Sequence, residues 1–546
     1  MKRLLTLLII LMGAAAWGNT YYVSNTGSNS NNGLSPDSAW LTLGYSCSQL
    51  SAGDTLFIMD GTYAEYNIQN RGDHSGTHDY GTLVNIPDGT AGNEIVFKGY
   101  QSIPVITSYG SDYAYYGIET WENEYLVFDS LEVKKTFRGI TNFDGCSYIT
   151  IKNCIIDSTG DVGLNNNNAG IITLGAPSIS NHMTIQGCTI FHNREAPELL
   201  SVNSAAILWY TTDSSTITDN IIYDQPTSWG AIFLKAWNTH NEISNNTIHD
   251  ASRGIQLYYG ADSNTVHHNV IYDCTGGGIE LHTGNDTPPA RSNTGNQIYN
   301  NTFYSCASQG INLAYASGET VTMVNPQAWN NIIVQSTYAV NRSSNTTVTG
   351  AYFDYNCYYN SGSSIVASWL GTTYTLSNFV DSIHLDSNSV NVDPIFANAV
   401  GHDFRLTADS PQVLKTGGRA GVWPVYMGAY EYEAEETSIS QVLSEVDKDS
   451  VGIDVSNNYT LVNTAVDTSV FYISIDTFTT VLDSTIYVSP SDPKTHSFEG
   501  LDYITNYQMM VVSWDESAGV TDTSNVLTIT TEAAVAKKHH CGKWRN

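Results

Sequence analysis

Short apolar runs separated by Asn, Gly or Asp recur between about residue 125 and residue 345. One recurring element is an asparagine followed by a short run of apolar or β-branched residues, at Asn153-Cys154-Ile155-Ile156, Asn220-Ile221-Ile222, Asn246-Thr247-Ile248, Asn269-Val270-Ile271, Asn301-Thr302-Phe303 and Asn331-Ile332-Ile333. A second element interleaves with it, at Gly139-Ile140, Gly170-Ile171, Ala206-Ile207, Ala231-Ile232, Gly254-Ile255, Gly278-Ile279, Gly310-Ile311 and Ala339-Val340. From Asn220 the asparagines are 26, 23, 32 and 30 residues apart, a period typical of solenoids.

Each repeat unit predicts short β-strands and leaves no room for a crossover helix. Parallel strands that are joined without helices must coil, so that each turn pairs with the next. Asparagines that recur at one bend can stack their amides and satisfy the polar groups of a tight turn. Aliphatic side chains such as Ile255 and Leu257 are expected to point inward. The pattern therefore predicts an all-β fold, a right-handed parallel β-helix (solenoid).

Distinct motifs stand at both ends of the repeat segment. The opening contains Tyr21-Tyr22-Val23-Ser24, residues 27–33, Trp40, residues 53–58 and Gly61-Thr62-Tyr63. The close contains Asp393-Pro394-Ile395-Phe396, Asp403-Phe404-Arg405-Leu406, Ser410-Pro411 and Gly428-Ala429-Tyr430-Glu431. These motifs resemble the first turns and the usual ending of secreted pectin-lyase-like β-helix proteins. The resemblance implies one β-helix domain over residues 19–432, and it leaves the reaction open because that fold hosts lyases, hydrolases, epimerases and adhesins.

A second module follows an acidic, polar stretch that we interpret as a linker over residues 433–440. Alternating runs at residues 470–475 and 507–512 predict strands of a small β-sandwich. Leu501, Thr505 and Tyr507 resemble the tyrosine-corner segment of a fibronectin type III domain, which we assign to residues 441–532 as a spacer or accessory module. Residues 533–546 are expected to form a disordered tail.

The N-terminal segment and the composition predict where the protein is located and disfavour several classes of partner. Residues 1–18 have a charged start, a short apolar run and small residues before Asn19, as in a signal peptide, so we expect a secreted protein. That apolar run is too short for a membrane span and no later segment approaches one, so we expect no membrane insertion. With 22 basic and 53 acidic residues, the formal net charge of −31 disfavours nucleic acid as a partner. The excess carboxylate leaves Ca²⁺ as a candidate ligand, although no metal-binding residues are identified. The eight cysteines are expected to be stacked buried thiols rather than a disulfide framework.

The Gly/Ala–Ile strands fix which side chains point out of the coil, because residues one and three positions after the Ile face outward. The first outward row is Leu208, Phe233, Gln256, Glu280 and Asn312, and the second is Tyr210, Lys235, Tyr258, His282 and Ala314. Neighbours within a row lie about 4.8 Å apart. Lys235, Tyr258 and His282 should therefore form a contiguous, solvent-facing stack.

This stack is the candidate catalytic site. Lys235 could remove the C5 proton of a uronic acid, and Tyr258 or His282 could protonate the leaving oxygen. Arg253 could neutralise the substrate carboxylate, while Gln256 and Glu280 line the adjoining row. The aromatic residues Tyr210, Phe233, Trp237 and Tyr259, with Tyr258, are expected to form a sugar-stacking platform beside it. A purely solvated outer face is the competing interpretation of the same rows.

A narrower resemblance passes through this region. Leu234-Lys235, Asn241, Asn246-Thr247-Ile248 and Gly254-Ile255-Gln256-Leu257 resemble the catalytic stretch of alginate-lyase and chondroitinase-B type lyases, whose catalytic lysine falls on Lys235. The family's Arg-His-Gly is here Tyr258-Tyr259-Gly260, and Ala231-Ile232-Phe233 stands where its Ca²⁺-binding glutamate is found.

Three functions stay open at this point. The first is a polysaccharide lyase that cleaves an acidic glycan by β-elimination. The second is an inverting glycoside hydrolase, which needs two carboxyl groups roughly 6.5–9.5 Å apart. The third is a non-catalytic carbohydrate-binding or adhesion protein.

Overall fold

The computed structural model describes residues 18–68, 80–109, 116–160, 167–175, 178–193, 203–284, 291–315, 322–419 and 426–432, together with eight strands beyond residue 438. The chain divides between Tyr432 and Glu433 into two compact units. The signal peptide, most of the linker and the tail that we predict lie outside the described residues. Within the described part of the chain, no helix is long and apolar enough to cross a membrane.

The first unit is a parallel β-helix with three columns of stacked strands. The first column is a parallel sheet of Thr20–Val23, Thr55–Ile58, Ile95–Gly99, Glu124–Asp129, Ser147–Lys152, Thr184–Gln186, Thr216–Thr218, Glu242–Ser244, Thr265–His267, Gln297–Tyr299, Gln327–Trp329 and Tyr352–Asp354, with Ser180–Asn181 and Thr212–Asp213 at its side. The predicted fold class, a mostly-β parallel solenoid, is confirmed.

The second and third columns belong to one larger sheet. The second column contains Thr62–Tyr63, Val105–Thr107, Glu132–Lys134, Ile155–Asp157, Thr189–Phe191, Val270–Tyr272, Thr302–Tyr304, Ile332–Val334 and Cys357–Tyr359. The third contains Tyr80–Leu83, Tyr116–Trp121, Ile140–Phe143, Asn168–Leu174, Ser204–Tyr210, Ile279–Thr283, Gln309–Tyr315, Tyr338–Arg342 and Ile365–Trp369, with Asn67–Ile68 and Thr372–Thr375 as antiparallel additions. Two long strands, Ile221–Lys235 and Thr247–Tyr258, run through both columns and join them.

Few other elements occur in this unit. One small sheet contains Asn293–Thr294, Thr322–Val324 and Thr347–Thr349. Another contains Phe396–Asn398 and Asp403–Leu406. The described helices are Leu43–Cys47, Leu376–Ile383 and Gln412–Thr416, with 3₁₀ turns at Pro36–Ser38 and Ala399–Gly401. The helix Leu43–Cys47 lies between the paired strands Thr20–Val23 and Thr55–Ile58. No described helix lies between paired strands of the repeat at residues 125–345, so the chain there coils rather than forming a doubly wound sheet.

A ladder of buried asparagines marks the bend between the first and second columns. The ladder consists of Asn220, Asn246, Asn269, Asn301, Asn331 and Asn356. The amide nitrogen of each of the first five donates to the side-chain oxygen of the next at 2.9–3.0 Å. The same side-chain oxygens accept a backbone N–H from the preceding turn, as Asn301 Oδ1 does from Asn269. The prediction of stacked repeat asparagines is confirmed for Asn220, Asn246, Asn269, Asn301 and Asn331, and Asn356 extends the ladder. Asn153 instead donates its amide to Asp129 Oδ1 at 3.0 Å.

The core consists of aliphatic columns, as predicted. Ile232, Ile255, Ile279 and Ile311 pair in register and are fully buried or nearly so. Trp209 is fully buried in the same core. Among the described residues the cysteines are buried and free, and Cys154 lies against Cys188 and Cys274 against Cys306. The prediction of stacked buried thiols is confirmed for these two pairs, and Cys541 lies outside the described residues.

The second unit consists of antiparallel strands. One sheet contains, in order, Ile439–Lys448, Gly452–Leu461 and Lys494–Glu499. The other contains Val481–Val488, Thr468–Ser474, Asn506–Asp515, Val520–Thr523 and Leu527–Thr530. The first, second and fifth strands thus share one sheet, as in immunoglobulin-like sandwiches. Assignment to the fibronectin type III class stays a prediction.

Candidate functional site

The outer side of the third column, which we call the site face, places the predicted residues next to one another. Lys235 pairs with Tyr258, Tyr258 with His282, and His282 with Ala314. In the adjoining row, Leu208, Phe233, Gln256, Glu280 and Asn312 pair in that order. The predicted register is therefore confirmed for the whole first row and for the second row from Lys235 to Ala314. The Tyr258 and His282 rings stack with centroids 4.1 Å apart.

Glu280 lies at the centre of a dense hydrogen-bond network. Its Oε1 accepts from the Tyr258 hydroxyl at 2.5 Å and from Gln256 Nε2 at 3.0 Å. Its Oε2 accepts from Asn312 Nδ2 at 2.8 Å. Arg253 Nε lies 4.0 Å from Oε2, and 11% of the Glu280 side chain is exposed. This partly buried carboxylate is therefore held by neutral donors and one guanidinium, as a charge away from water must be.

The Tyr258 hydroxyl is a donor in this network. Burial and the negative charge of Glu280 raise the pKa of Tyr258 well above its ordinary value. The hydroxyl accepts from Gln256 Nε2 at 3.0 Å while it donates to Glu280. The backbone N–H of Gly230 in turn donates to Gln256 Oε1. The phenol therefore stays protonated and fixes the carboxylate, so its bond to Glu280 competes with its predicted role as an acid toward substrate.

Lys235 stands on the other side of Tyr258 in an amide-rich environment. Its Nζ donates to Asn203 Oδ1 at 3.1 Å and lies 5.9 Å from the centroid of the Tyr210 ring. Asn203 Nδ2 donates to the Tyr210 hydroxyl at 2.6 Å, and Asn167 donates to the same hydroxyl at 3.1 Å. Tyr210 thus supports the lysine through a hydrogen-bonded frame in addition to its ring.

The prediction that both rows face solvent is wrong for several members. Leu208, Phe233 and Gln256 are fully buried, and Tyr258 is 5% exposed. Tyr259 of the predicted aromatic platform is 7% exposed. For Phe233 and Tyr258 the reason is the register break between Gln225 and Gly230, where Trp229 stacks on Phe233 at 5.1 Å and contacts the edge of Tyr258 at 5.8 Å. Phe233, Tyr258 and Tyr259 therefore form an apolar cluster with Trp229 and Leu208 rather than an open sugar platform.

Trp237 is the member of the predicted platform that is well exposed, at 44%. It lies two residues beyond Lys235, in a turn where its φ is 51°. The guanidinium of Arg291 sits over its ring, 3.3 Å from the centroid. One face of this tryptophan is therefore already occupied by a cation.

Metal binding has no support from side-chain clustering in the described residues. No group of three or more His, Cys, Asp or Glu residues there is arranged to hold a metal ion. Ca²⁺ as a ligand stays a prediction of the acidic composition.

Four residues of this site escaped the sequence analysis. Asn312 was placed in the outward row but given no role, and its amide binds Glu280. Asn203 and Arg291 come directly after long inserts between strands, where repeat register gives no position. Trp229 precedes Gly230 at the register break. An apolar side chain just before the repeat element Gly230-Ala231-Ile232 was the available signal for Trp229.

Comparison with known proteins supports the fold. A family model described as right handed beta helix region matches residues 180–353. A search of curated proteins finds no significant match.

Several solved structures align over much of the chain. XylC in complex with xylose is 12% identical, with a TM-score of 0.45 over 80% of this chain and 89% of that one. A rhamnogalacturonan lyase is 15% identical, with a TM-score of 0.34 over 69% and 85%. The family 28 exopolygalacturonase of Yersinia enterocolitica is 14% identical, with a TM-score of 0.31 over 64% and 78%. The strand pairing and the family model together identify residues 180–353 as a right-handed β-helix region.

Proposed function

We propose that this chain is a secreted polysaccharide lyase that cleaves an acidic, uronate-containing glycan by β-elimination. The observation that carries the proposal is the paired column of Lys235, Tyr258 and His282 beside Arg253 and Glu280. Two different proton-transfer groups, an amine and an imidazole, flank one phenol on a single face of the coil. β-Elimination needs this combination, a base and an acid together with positive charge for the substrate carboxylate.

In the proposed reaction Lys235, in its neutral form, removes the proton at C5 of a uronate. The electrons of that C–H bond form the C4–C5 double bond, and the C4–O bond breaks toward the leaving sugar. His282, in its protonated form, supplies the proton to that oxygen. Arg253 stabilises the negative charge that develops on the substrate carboxylate.

Tyr258 takes a positioning role in this proposal. Its hydroxyl is bonded to Glu280 at 2.5 Å, while its ring stacks on His282 at 4.1 Å. The phenol therefore orients the imidazole. The strand of Tyr258 lies between the strand of Lys235 and the strand of His282. Glu280 orients the phenol and lies near Arg253.

Hydrolysis is less well supported by the same face. An inverting hydrolase needs a second carboxyl group roughly 6.5–9.5 Å from the first. Within the described part of Glu280's row, the next carboxylate along the pairing is Glu119, six strands away. Six strand spacings amount to about 29 Å. A general acid and base pair of carboxylates is therefore not available from this row.

The nature of the product tests the proposal. The mature chain is incubated with a panel of polyuronates, and both unsaturated uronate absorbance and reducing ends are followed. A lyase produces both signals together. Reducing ends without the absorbance would show hydrolysis, and binding without either product would show a non-catalytic carbohydrate-binding protein, and both results contradict the proposal.

A further inference from the structure

A cation that the proposed reaction does not use lies at the turn that ends the site strands. Arg291 stacks its guanidinium over the Trp237 ring at 3.3 Å from the centroid. Trp237 is 44% exposed, so the pair is accessible from solvent. Cation–π contact with tryptophan holds a guanidinium in a fixed plane and leaves its edge N–H groups for an anion.

Backbone hydrogen bonds place this pair beside the proposed reacting groups. The Trp237 N–H donates to Tyr259 O, and the Tyr259 N–H donates to His282 O. Arg291 forms a bridge with Gly284, two residues beyond His282. The turn positions that follow Lys235, Tyr258 and His282 are thus tied to one another, and Arg291 is attached to the same turns.

The guanidinium of Arg291 has no anionic partner in the described part of the chain. Arg253 and Arg405 lie near Glu280 and Asp403, but no carboxylate or other acceptor there bonds to the Arg291 side chain. Burial lowers the pKa of Arg291 from its ordinary value, which reflects the loss of water around the cation. In a chain with a formal net charge of −31, an arginine that has no carboxylate partner among the described residues is suited to an external anion.

We propose that Arg291, held on Trp237, binds the carboxylate of the uronate unit next to the one that reacts at Lys235 and His282. The inference rests on the proposed function. It assigns a subsite that recognises a carboxylate to the end of the site face where the strands lead into turns. A planar guanidinium pairs with a carboxylate through two parallel hydrogen bonds, which a methyl ester cannot accept equally well. The chain should therefore prefer glycans that carry free carboxylates on adjacent units.

Binding measurements separate this subsite from the chemistry. Oligomers of galacturonate, mannuronate, guluronate and glucuronate, each with its methyl ester, are titrated calorimetrically into the Lys235→Ala chain, which should bind without turnover. In this background Arg291→Ala should weaken binding of the preferred free acid at least tenfold and leave its ester within about twofold. Arg291→Lys should recover part of the loss, and the salt dependence of affinity should flatten in Arg291→Ala.

Arg419 offers a matched control for the substitution. It also stacks on a tryptophan, Trp329, with its guanidinium 4.9 Å from the ring centroid, but that residue is in the first column. Arg419→Ala should leave binding of every oligomer unchanged. Unfolding midpoints of both variants check that the fold is retained.

The outcomes distinguish the subsite from the reaction. Three results would overturn the subsite. The first is that the free acid binds equally well with and without Arg291→Ala in the Lys235→Ala background. The others are equal losses of affinity for acid and ester, and no binding of any uronate oligomer. If Arg291→Ala weakens acid binding selectively while the wild-type chain yields no unsaturated product, the subsite stands and the lyase proposal fails. If Lys235→Ala abolishes cleavage while Arg291→Ala does not change binding, the lyase proposal stands and the subsite fails.

Discussion

Glu280 keeps its carboxylate among a phenol, two amides and a guanidinium although only 11% of its side chain is exposed. A buried carboxylate loses hydration that several hydrogen bonds must replace. Each donor to Glu280 therefore contributes more here than the same donor would on an open surface. At the scale of single residues, the Tyr258 hydroxyl should be essential to the stability of this part of the coil.

Tyr258→Phe tests this role while it keeps the ring that stacks on His282. The substitution removes the 2.5 Å hydrogen bond to Glu280 and the acceptor for Gln256. We expect the free energy of unfolding to fall by about 1–3 kcal/mol, because a buried charge loses a donor. Denaturant unfolding measures the change.

Tyr223→Phe is the control for that substitution. The Tyr223 ring stacks between Phe191 and His249 on the outer face of the second column. Its hydroxyl makes no hydrogen bond to the described residues. A change within about 0.5 kcal/mol is expected. Equal effects of the two substitutions would contradict the role given to the Tyr258 hydroxyl.

At the scale of elements, the asparagine ladder links successive turns of the coil. Asn269 Nδ2 donates to Ile243 O, His267 O and Asn301 Oδ1, each at 2.9–3.0 Å. Its side-chain oxygen accepts from both nitrogens of Asn246. One side chain therefore satisfies buried polar groups of three consecutive turns, and its loss would leave several of them without partners.

Asn269→Ala should lower the free energy of unfolding by at least about 3 kcal/mol, because several buried polar groups lose their partners together. Chemical denaturation of the whole first unit is the measurement. Asn345→Ala, at an exposed asparagine outside the ladder, should change stability by less than about 0.5 kcal/mol. A loss below about 1 kcal/mol for Asn269→Ala would mean that the ladder is dispensable.

A buried carboxyl group terminates the same ladder. Asn356 Nδ2 donates to Asp386 Oδ1, which also accepts from the Tyr358 and Ser389 hydroxyls. Asp386 Oδ2 is buried and has no hydrogen-bond partner in the described part of the chain. Burial raises the pKa of Asp386 to about 6. Protonated Asp386 is therefore favoured in the folded protein relative to the unfolded chain.

At the scale of the whole molecule, Asp386 makes stability depend on pH. Because its folded pKa of about 6 lies above the ordinary value of 3.8, its contribution is fully present below about pH 4 and is lost as pH rises through 6. Asp386→Asn keeps an acceptor for the three donors and cannot ionise. We expect the variant to be more stable than wild type by about 1–3 kcal/mol at pH 7 and to show no advantage at pH 4. Unfolding at both pH values measures the difference.

His268 acts in the opposite direction over an overlapping pH range. Burial, and next the neighbouring His267, lower the pKa of His268 to about 4, and its Nε2 lies 3.0 Å from the Tyr426 hydroxyl. Its contribution is present above about pH 6.5 and is lost as pH falls through 4. The difference between Asp386→Asn and wild type cancels this common background. A difference that does not vary between pH 4 and pH 7 would contradict the role of Asp386.

The repeat made the coil and its register predictable from the sequence. Gly/Ala–Ile steps recur once per turn, so alignment of Ile232, Ile255 and Ile279 gave the pairing of Lys235 with Tyr258 and His282. The exposure of the rows was not predictable in this way. It depends on the register break before Gly230, which brings Trp229 over Phe233 and lies outside the repeat pattern. Arg291 follows an insert whose path no periodicity specifies.

The initial rate of unsaturated uronate formation by Lys235→Ala, relative to wild type on the preferred polyuronate, tests the central claim most directly. Removal of a general base should lower that rate by about 10²- to 10⁴-fold while the unfolding midpoint stays unchanged. Lys152→Ala, at a lysine of the first column, should retain the full rate. A Lys235→Ala chain that still forms the unsaturated product within tenfold of wild type would contradict the account.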